Sequence, residues 1–326
     1  MKAVRFARFG PPSEVLRLEE LPIPEPAPGE VRLRLTHRPI NPSDLLTVAG
    51  VYPIRPALPG SPGLEGVGRV DAVGQGVDIP LGQRMITLAA VPGTWAEAVL
   101  VSADRLLSIP ETMADQTAAQ FLVNPMTAWA LLDDLALSSG DWLLQTAAGS
   151  TLGRLLIELT RSRGVRTINV VRRREQIPEL LELGADQVLA TEDGPLVDQV
   201  LGLTAGQGVL SAIDAVGGAL GAQVAACLAP GGRMLVMGLL EAEPTLPMTT
   251  ADLLFKEATI RGFWLARWFA RQAPERVGQA IGEVMHLLVS GVLHPAVEAE
   301  YELADFREAV VHTARSGRRG KVLLTG

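Results

Sequence analysis

The chain has 326 residues, 48% of them apolar and 20% charged, enough for a large buried core and, at this length, for two domains. A net charge of −7 excludes a general attraction to nucleic acid or to anionic membranes, so a bound anion must be met by a local basic cluster. One cysteine, Cys227, excludes an intrachain disulfide framework, and no apolar run of about 18 residues offers a membrane span. The opening MKAVRFARFG is basic but lacks the apolar stretch of a secretory signal, so the expected location is the cytoplasm.

In chain order, VLRLEEL and then VRLRL (Val31 to Leu35) alternate apolar with polar residues between proline-rich turns, the period of half-buried strands. GVGRVDAVG, RMITLAA and WAEAVLV continue as short strands with irregular connections. From about Asn124 the rhythm changes to strand, helix, strand: DWLLQT, LGRLLIELTRSRG, RTINVV, IPELLELG, QVLAT, then VLSAIDAVG and GGRMLVMG. Apolar runs alternating with amphipathic helices predict a doubly wound parallel sheet. After Arg261 come a long helix through IGEVMHLLVSG, then VEAEYEL, FREAVVHTARSG and a last strand, GKVLLTG. The expected organisation is a β-rich domain over 1–121, completed by 263–326, with a nucleotide-binding α/β domain over 122–262 inserted into it.

The strongest local signal is LLQTAAGSTLGRLLIEL, where a strand ends at Thr146 and a helix starts near Ser150. Free N–H groups and the positive end of the helix dipole meet a pyrophosphate at such a turn. Only Gly153 matches the G-x-G-x-x-G pattern, because Ala148 and Ser150 stand where the first two glycines would be. A tight turn without a ligand would need the same small residues. The next strand, RTINVV, ends in Arg172, Arg173 and Arg174, where an NAD-binding unit would place an acid. Three guanidiniums suit a 2′-phosphate and hence NADPH. A solvated charge run at a helix start is the alternative.

Over nearly its whole length the chain resembles the zinc-independent medium-chain dehydrogenases/reductases, first the 2-enoyl thioester reductases and then the quinone oxidoreductases. The stretches that carry this are INPSDLLTVAGVYPIRPALPGSPGLEGVG, VNPMTAWALL, RTINVVRRR and RGFWLARW. The resemblance implies a Rossmann domain inserted into a GroES-like β-rich catalytic domain, an NADPH cofactor, a small-molecule or acyl-thioester substrate and a homodimer. It implies reduction of an activated C=C bond by hydride transfer to the β-carbon, with quinone reduction as the alternative and a non-catalytic NADPH-binding protein as the alternative of another class. By the same resemblance Tyr52 is the proton donor or orients the substrate carbonyl, and Asn124 lies beside the nicotinamide. Gly149, Ser150, Thr151 and Leu152 fall on the phosphate turn, and Arg172 to Arg174 on the 2′-phosphate site. Met237, Gly238, Leu239 and Leu240 reach the cofactor at a strand end, Phe263, Trp264 and Leu265 line the nicotinamide pocket, and Lys321 reaches the cofactor from the last strand.

Each residue also has a plainer role open to it. Tyr52 could be a packing residue of a proline-rich loop, Asn124 an Asx turn ahead of a helix, and FWLARWF core or dimer interface. In SPGLEGVGRV, the residue before Glu65 is a histidine ligand in metal-dependent relatives but Leu64 here, and Asn41-Pro42 replaces a cysteine-containing turn. No metal is therefore expected, Glu65 reads as structural, and Gly66 and Gly68 are expected to serve a close turn.

Overall fold

The computed structural model describes residues 1–88, 93–240 and 245–326. Ala89 and Ala90, which close the predicted run RMITLAA, lie outside the described residues. In chain order the strands are β1 (Lys2–Arg5), β2 (Arg17–Glu20), β3 (Glu30–Pro39), β4 (Val67–Val73), β5 (Arg84–Thr87), β6 (Ala98–Ser102), β7 (Leu106–Ser108), β8 (Trp142–Gln145), β9 (Arg166–Val171), β10 (Gln187–Ala190), β11 (Val209–Asp214), β12 (Leu228–Val236), β13 (Thr259–Gly262), β14 (Val297–Glu302) and β15 (Lys321–Thr325). The chain divides into two compact units, 1–124 with 294–326, and 125–293.

The first unit is built around β3. Its alternation puts Val31, Leu33 and Leu35 into the core, and it pairs antiparallel with β4, β6 and β15. The sheet order is β14-β15-β3-β4-β5-β7, with β14 and β15 parallel to each other. The C-terminal strand therefore lies inside this sheet, where Val322, Leu323 and Leu324 are buried. Gly68 departs from expectation. It sits within β4 opposite Leu35, and a Cβ there would lie 2.1 Å from the Arg34 carbonyl oxygen. Its missing side chain permits close strand approach, not a turn.

The second unit is a six-stranded, all-parallel sheet in the order β10-β9-β8-β11-β12-β13. Starting from β8, the chain steps outward to β9 and β10 and then crosses to β11 on the other side of β8. That reversal is the topological switch point of a Rossmann sheet. The helix Thr151–Ser162 follows β8 and buries Leu155, Leu156, Ile157 and Leu159. Each such side chain contributes about 1.5–3 kcal/mol relative to exposure.

Residues 263–293 belong to this unit, whereas the sequence pattern grouped them with the β-rich domain. The reason is tertiary packing. Trp268 meets Trp129 edge to face at 5.8 Å, and the Arg276 guanidinium lies over the Trp129 ring at 4.8 Å while also pairing with Asp133. Trp129 Nε1 donates to Glu283 at 2.7 Å. The long helix Pro274–Val289 is thus bound to the helix Asn124–Leu135 by aromatic and charged contacts.

Candidate functional site

In the second unit the expected cofactor residues gather at the C-terminal ends of the parallel strands, where open α/β sheets bind ligands. The turn after β8 is held by Thr146, whose Oγ1 donates to Asp214 Oδ1 at 2.7 Å and accepts from the Ala215 N–H at 2.9 Å. Asp214 Oδ1 also accepts from the Val216 N–H and Oδ2 from the Gly217 N–H. This stitch joins β8 to β11 at the switch point. Ala147 follows at φ 51°, a strained value for a residue with a Cβ, and Ser150 then caps the helix, its Oγ accepting from the Gly153 N–H at 3.1 Å. Gly153 fulfils the third-glycine role: a Cβ there would fall 2.6 Å from both Cα and the carbonyl oxygen of Ala148. Thr151 and Leu152 open the helix, and their N–H groups have no intrahelical acceptor. Gly149 stands half-buried and Ser150 exposed on the same turn.

At the end of β9 the three arginines separate into two kinds. Arg174 pairs with Asp193, and its backbone N–H donates to Glu192 at 2.8 Å. Arg172 and Arg173 are exposed and have no acidic partner among the described residues. Two of the three positive charges are therefore available to an anion. Beyond β12, the Met237 N–H donates to the Asp214 carbonyl at 2.8 Å, and Gly238 packs so closely on Ala215 that only glycine fits. Leu239 and Leu240 are exposed. Beyond β13, Phe263 is buried with its N–H on the Val236 carbonyl, and Trp264 caps the helix Leu265–Arg271.

In the first unit, Tyr52 follows the helix Pro42–Ala49 and is tied back to it by its N–H on the Leu46 carbonyl at 3.1 Å. Asn124 is buried at the start of Asn124–Leu135. The helix before Tyr52 begins in a buried polar cluster that sequence reasoning found only in part. Asn41 caps it, and Asp44 closes a capping box by accepting from the Asn41 N–H at 2.7 Å. Asn41 Nδ2 donates to Glu65 Oε1 at 2.9 Å, and Glu65 Oε2 accepts from the N–H groups of Leu122 and Val123. Lys321 Nζ donates to Asn41 Oδ1. The asparagine amide thus bridges a buried anion and a buried cation. Lys321, expected to reach the cofactor, makes this hydrogen bond within the cluster. Burial pushes the Asp44 carboxyl up to about 7, and burial likewise raises Glu65, opposed by its hydrogen bonds and by Lys321. Burial pulls the Lys321 ammonium down to about 8 against the attraction of Glu65 and Asp44.

A parallel sheet in this order, with a helix N-terminus opening at its switch point and an exposed arginine pair just past the end of the neighbouring strand, is the arrangement of a dinucleotide-binding unit. Comparison with known proteins agrees. Residues 27–111 match the alcohol dehydrogenase GroES-like domain, and residues 151–283 match the zinc-binding dehydrogenase family. The chain is 34% identical over 307 residues to the mitochondrial enoyl-[acyl-carrier-protein] reductase of Caenorhabditis elegans, covering 92% of this chain and 88% of that one. Among solved structures, a Bacillus thuringiensis protein described as a candidate NADPH:quinone reductase superposes with a TM-score of 0.92 at 37% identity, covering 100% of this chain and 98% of that one. The quinone oxidoreductase of Escherichia coli, complexed with NADPH, superposes with a TM-score of 0.91 at 25% identity, covering 100% of both chains. The chain belongs to the medium-chain dehydrogenase/reductase family, with enoyl reductases and quinone oxidoreductases among its relatives.

The matched family description includes zinc, but the residues around Glu65 do not fit a divalent cation. Leu64 offers no donor atom, the Asn41 oxygen already accepts from an ammonium, and both Glu65 oxygens are taken by N–H groups.

Proposed function

We propose that this protein catalyses the NADPH-dependent reduction of an activated carbon–carbon double bond, with a 2-enoyl thioester or related enone as substrate. The observation that carries the cofactor half is the exposed pair Arg172–Arg173, free of acidic partners among the described residues, just past the end of the strand next to the phosphate turn. Such a pair suits a 2′-phosphate, and Arg174 is left to Asp193. The near-full-length likeness to an enoyl reductase supports the substrate half. NADPH held by these residues would supply the hydride for the β-carbon. Pyrophosphate is assigned to Gly149–Leu152, and the nicotinamide to Asn124, Met237–Leu240 and Phe263–Leu265. Tyr52 is assigned the hydrogen bond to the substrate carbonyl, or the proton to the α-carbon, because negative charge develops on that oxygen as hydride arrives.

A quinone as substrate is the second reading, supported by the quinone-reductase structural relatives. Steady-state NADPH oxidation against a crotonyl thioester, a simple enone and a quinone separates the two. The thioester is expected to give the highest kcat/KM, and tight NADPH binding without turnover on any of the three would leave a binding protein. Tyr52→Phe is expected to lower kcat about 100-fold with the KM for NADPH unchanged. Full turnover by that variant on every accepted substrate would remove Tyr52 from the chemistry. We also propose a homodimer and a cytoplasmic location. Among the described residues no helix is long and apolar enough to cross a membrane. Cys227 is a buried free thiol, in keeping with a reducing compartment.

A further inference from the structure

Gln145 on β8 stands directly opposite Asn169 on β9, and both side chains are fully buried. Gln145 Nε2 donates to Asn169 Oδ1 at 2.6 Å and to the Gly153 carbonyl at 3.0 Å. Asn169 Nδ2 donates to Thr167 Oγ1 at 2.8 Å and to the Gln187 carbonyl at 3.0 Å. The Thr167 hydroxyl reaches Asp186 Oδ2 at 3.4 Å, and that oxygen also accepts the Thr167 N–H at 2.8 Å. The side-chain donors run one way, from Gln145 toward Asp186, whose own N–H donates back to Thr167 Oγ1 at 3.3 Å, so neither amide can turn over without breaking the chain.

Amides are costly here. Gln145 Oε1 is buried with no hydrogen-bond partner among the described residues, a penalty that leucine or methionine would avoid. What an apolar residue cannot supply is the bond to the Gly153 carbonyl. Gly153 is already pressed against Ala148 more closely than any Cβ would allow. The first turn of the helix that opens the phosphate turn is therefore held sterically from one side and by Gln145 through a hydrogen bond. Asn169, the other half of the bridge, lies three residues before Arg172 on the strand that ends in the free arginines.

We propose that the Gln145–Asn169 bridge fixes the separation between the phosphate turn and the Arg172–Arg173 end of β9. It is thereby a positioning pair that decides how strongly the protein prefers NADPH over NADH. A ligand gripped at both its pyrophosphate and its 2′-phosphate gains from having the two anchors preset, whereas NADH uses the first alone. This inference rests on the NADPH reading given above.

The test compares KM and kcat for both dinucleotides in Asn169→Leu and Gln145→Met. Net hydrogen-bond contributions of this kind translate into roughly a 3- to 10-fold effect. The expected result is a KM for NADPH raised about 10-fold, a KM for NADH within about twofold, and kcat changed less than about threefold. In an Arg172→Ala/Arg173→Ala background the same substitutions are expected to change neither constant further. An equal rise in both KM values, no rise, or an undiminished effect without the arginines would each overturn the proposal. Should Asn169→Leu and Gln145→Met fail to fold, the near-isosteric Thr167→Val, which breaks the chain one link further out, decides it. An NADPH-selective rise supports the bridge, and an equal or absent rise overturns it. A wild-type protein that does not prefer NADPH would instead defeat the cofactor reading itself.

Discussion

Replacing Arg172 and Arg173 together by glutamate is expected to raise the KM for NADPH at least about 100-fold while leaving that for NADH within about threefold. Each guanidinium lost removes a charge-assisted bond worth about 1.5–3 kcal/mol, and each carboxylate gained adds repulsion toward a dianionic 2′-phosphate. NADH carries a hydroxyl at that place and is spared both effects. Arg174→Glu serves as the internal comparison, because its guanidinium is already paired with Asp193, and its effect should be several-fold smaller. The measurement is steady-state kinetics with each dinucleotide at a saturating second substrate. If NADPH kinetics are unchanged in the double variant, the 2′-phosphate is not held at β9.

The second large effect concerns stability. Lys321→Met is expected to lose about 3–5 kcal/mol in urea unfolding, since it leaves the buried Glu65 carboxylate without its cation and the Asn41 oxygen without its donor. Burial alone makes the ammonium expensive, yet removing it costs more, because the buried Glu65 carboxylate then loses the cation that offsets its burial. Adding Glu65→Gln should recover at least half of the loss, as the Asn41 amide can then turn over and accept from the new side chain. Asp44 adds a pH signature. Between the ordinary carboxylate range and about 7, native Asp44 keeps a proton that the unfolded chain has released. Its contribution is therefore present near pH 4 and lost as pH rises to about 7. Lys321 acts on the other limb. From about 8 to 10.5 the unfolded chain holds the proton and the native state does not, so stability rises again. Asp44→Asn should flatten the acid limb and leave the alkaline one. An acid limb as steep in the variant as in the wild type would show that Asp44 is not the group responsible.

Much of this molecule was legible wherever the signal is local. VRLRL reads as β3 because burial on one face has a period of two, and LGRLLIEL reads as a helix because Leu155, Leu156 and Leu159 share a face. The NPSD stretch carries its own capping box. What escaped depends on contacts between distant residues. The place of 263–293 is set by Trp268 against Trp129 and Arg276 against Asp133, pairs more than a hundred residues apart that no periodicity reports. Glu65 was recognisable as structural, but its dependence on Lys321 was not, since the lysine comes from a strand threaded in beside β3. Gln145 and Asn169 did leave a trace, as single amides inside the apolar runs WLLQ and TINVV. A buried polar residue in a parallel strand is a signal in its own right.

The position of β15 between β14 and β3 bears on the order in which the protein is made. Residues 125–293 form a continuous stretch with all six strands of their sheet in hand, so that unit can close as soon as it has left the ribosome. The unit around β3 has no such freedom. The end of its central strand, His37–Pro39, waits without β15 through the synthesis of the whole intervening unit until residues 321–325 arrive, although β6 already covers Glu30–Arg34. An open strand edge is a template for unwanted pairing. During that interval the edge left open is only three residues long, His37–Pro39, and it ends in a proline that has no N–H to offer another chain.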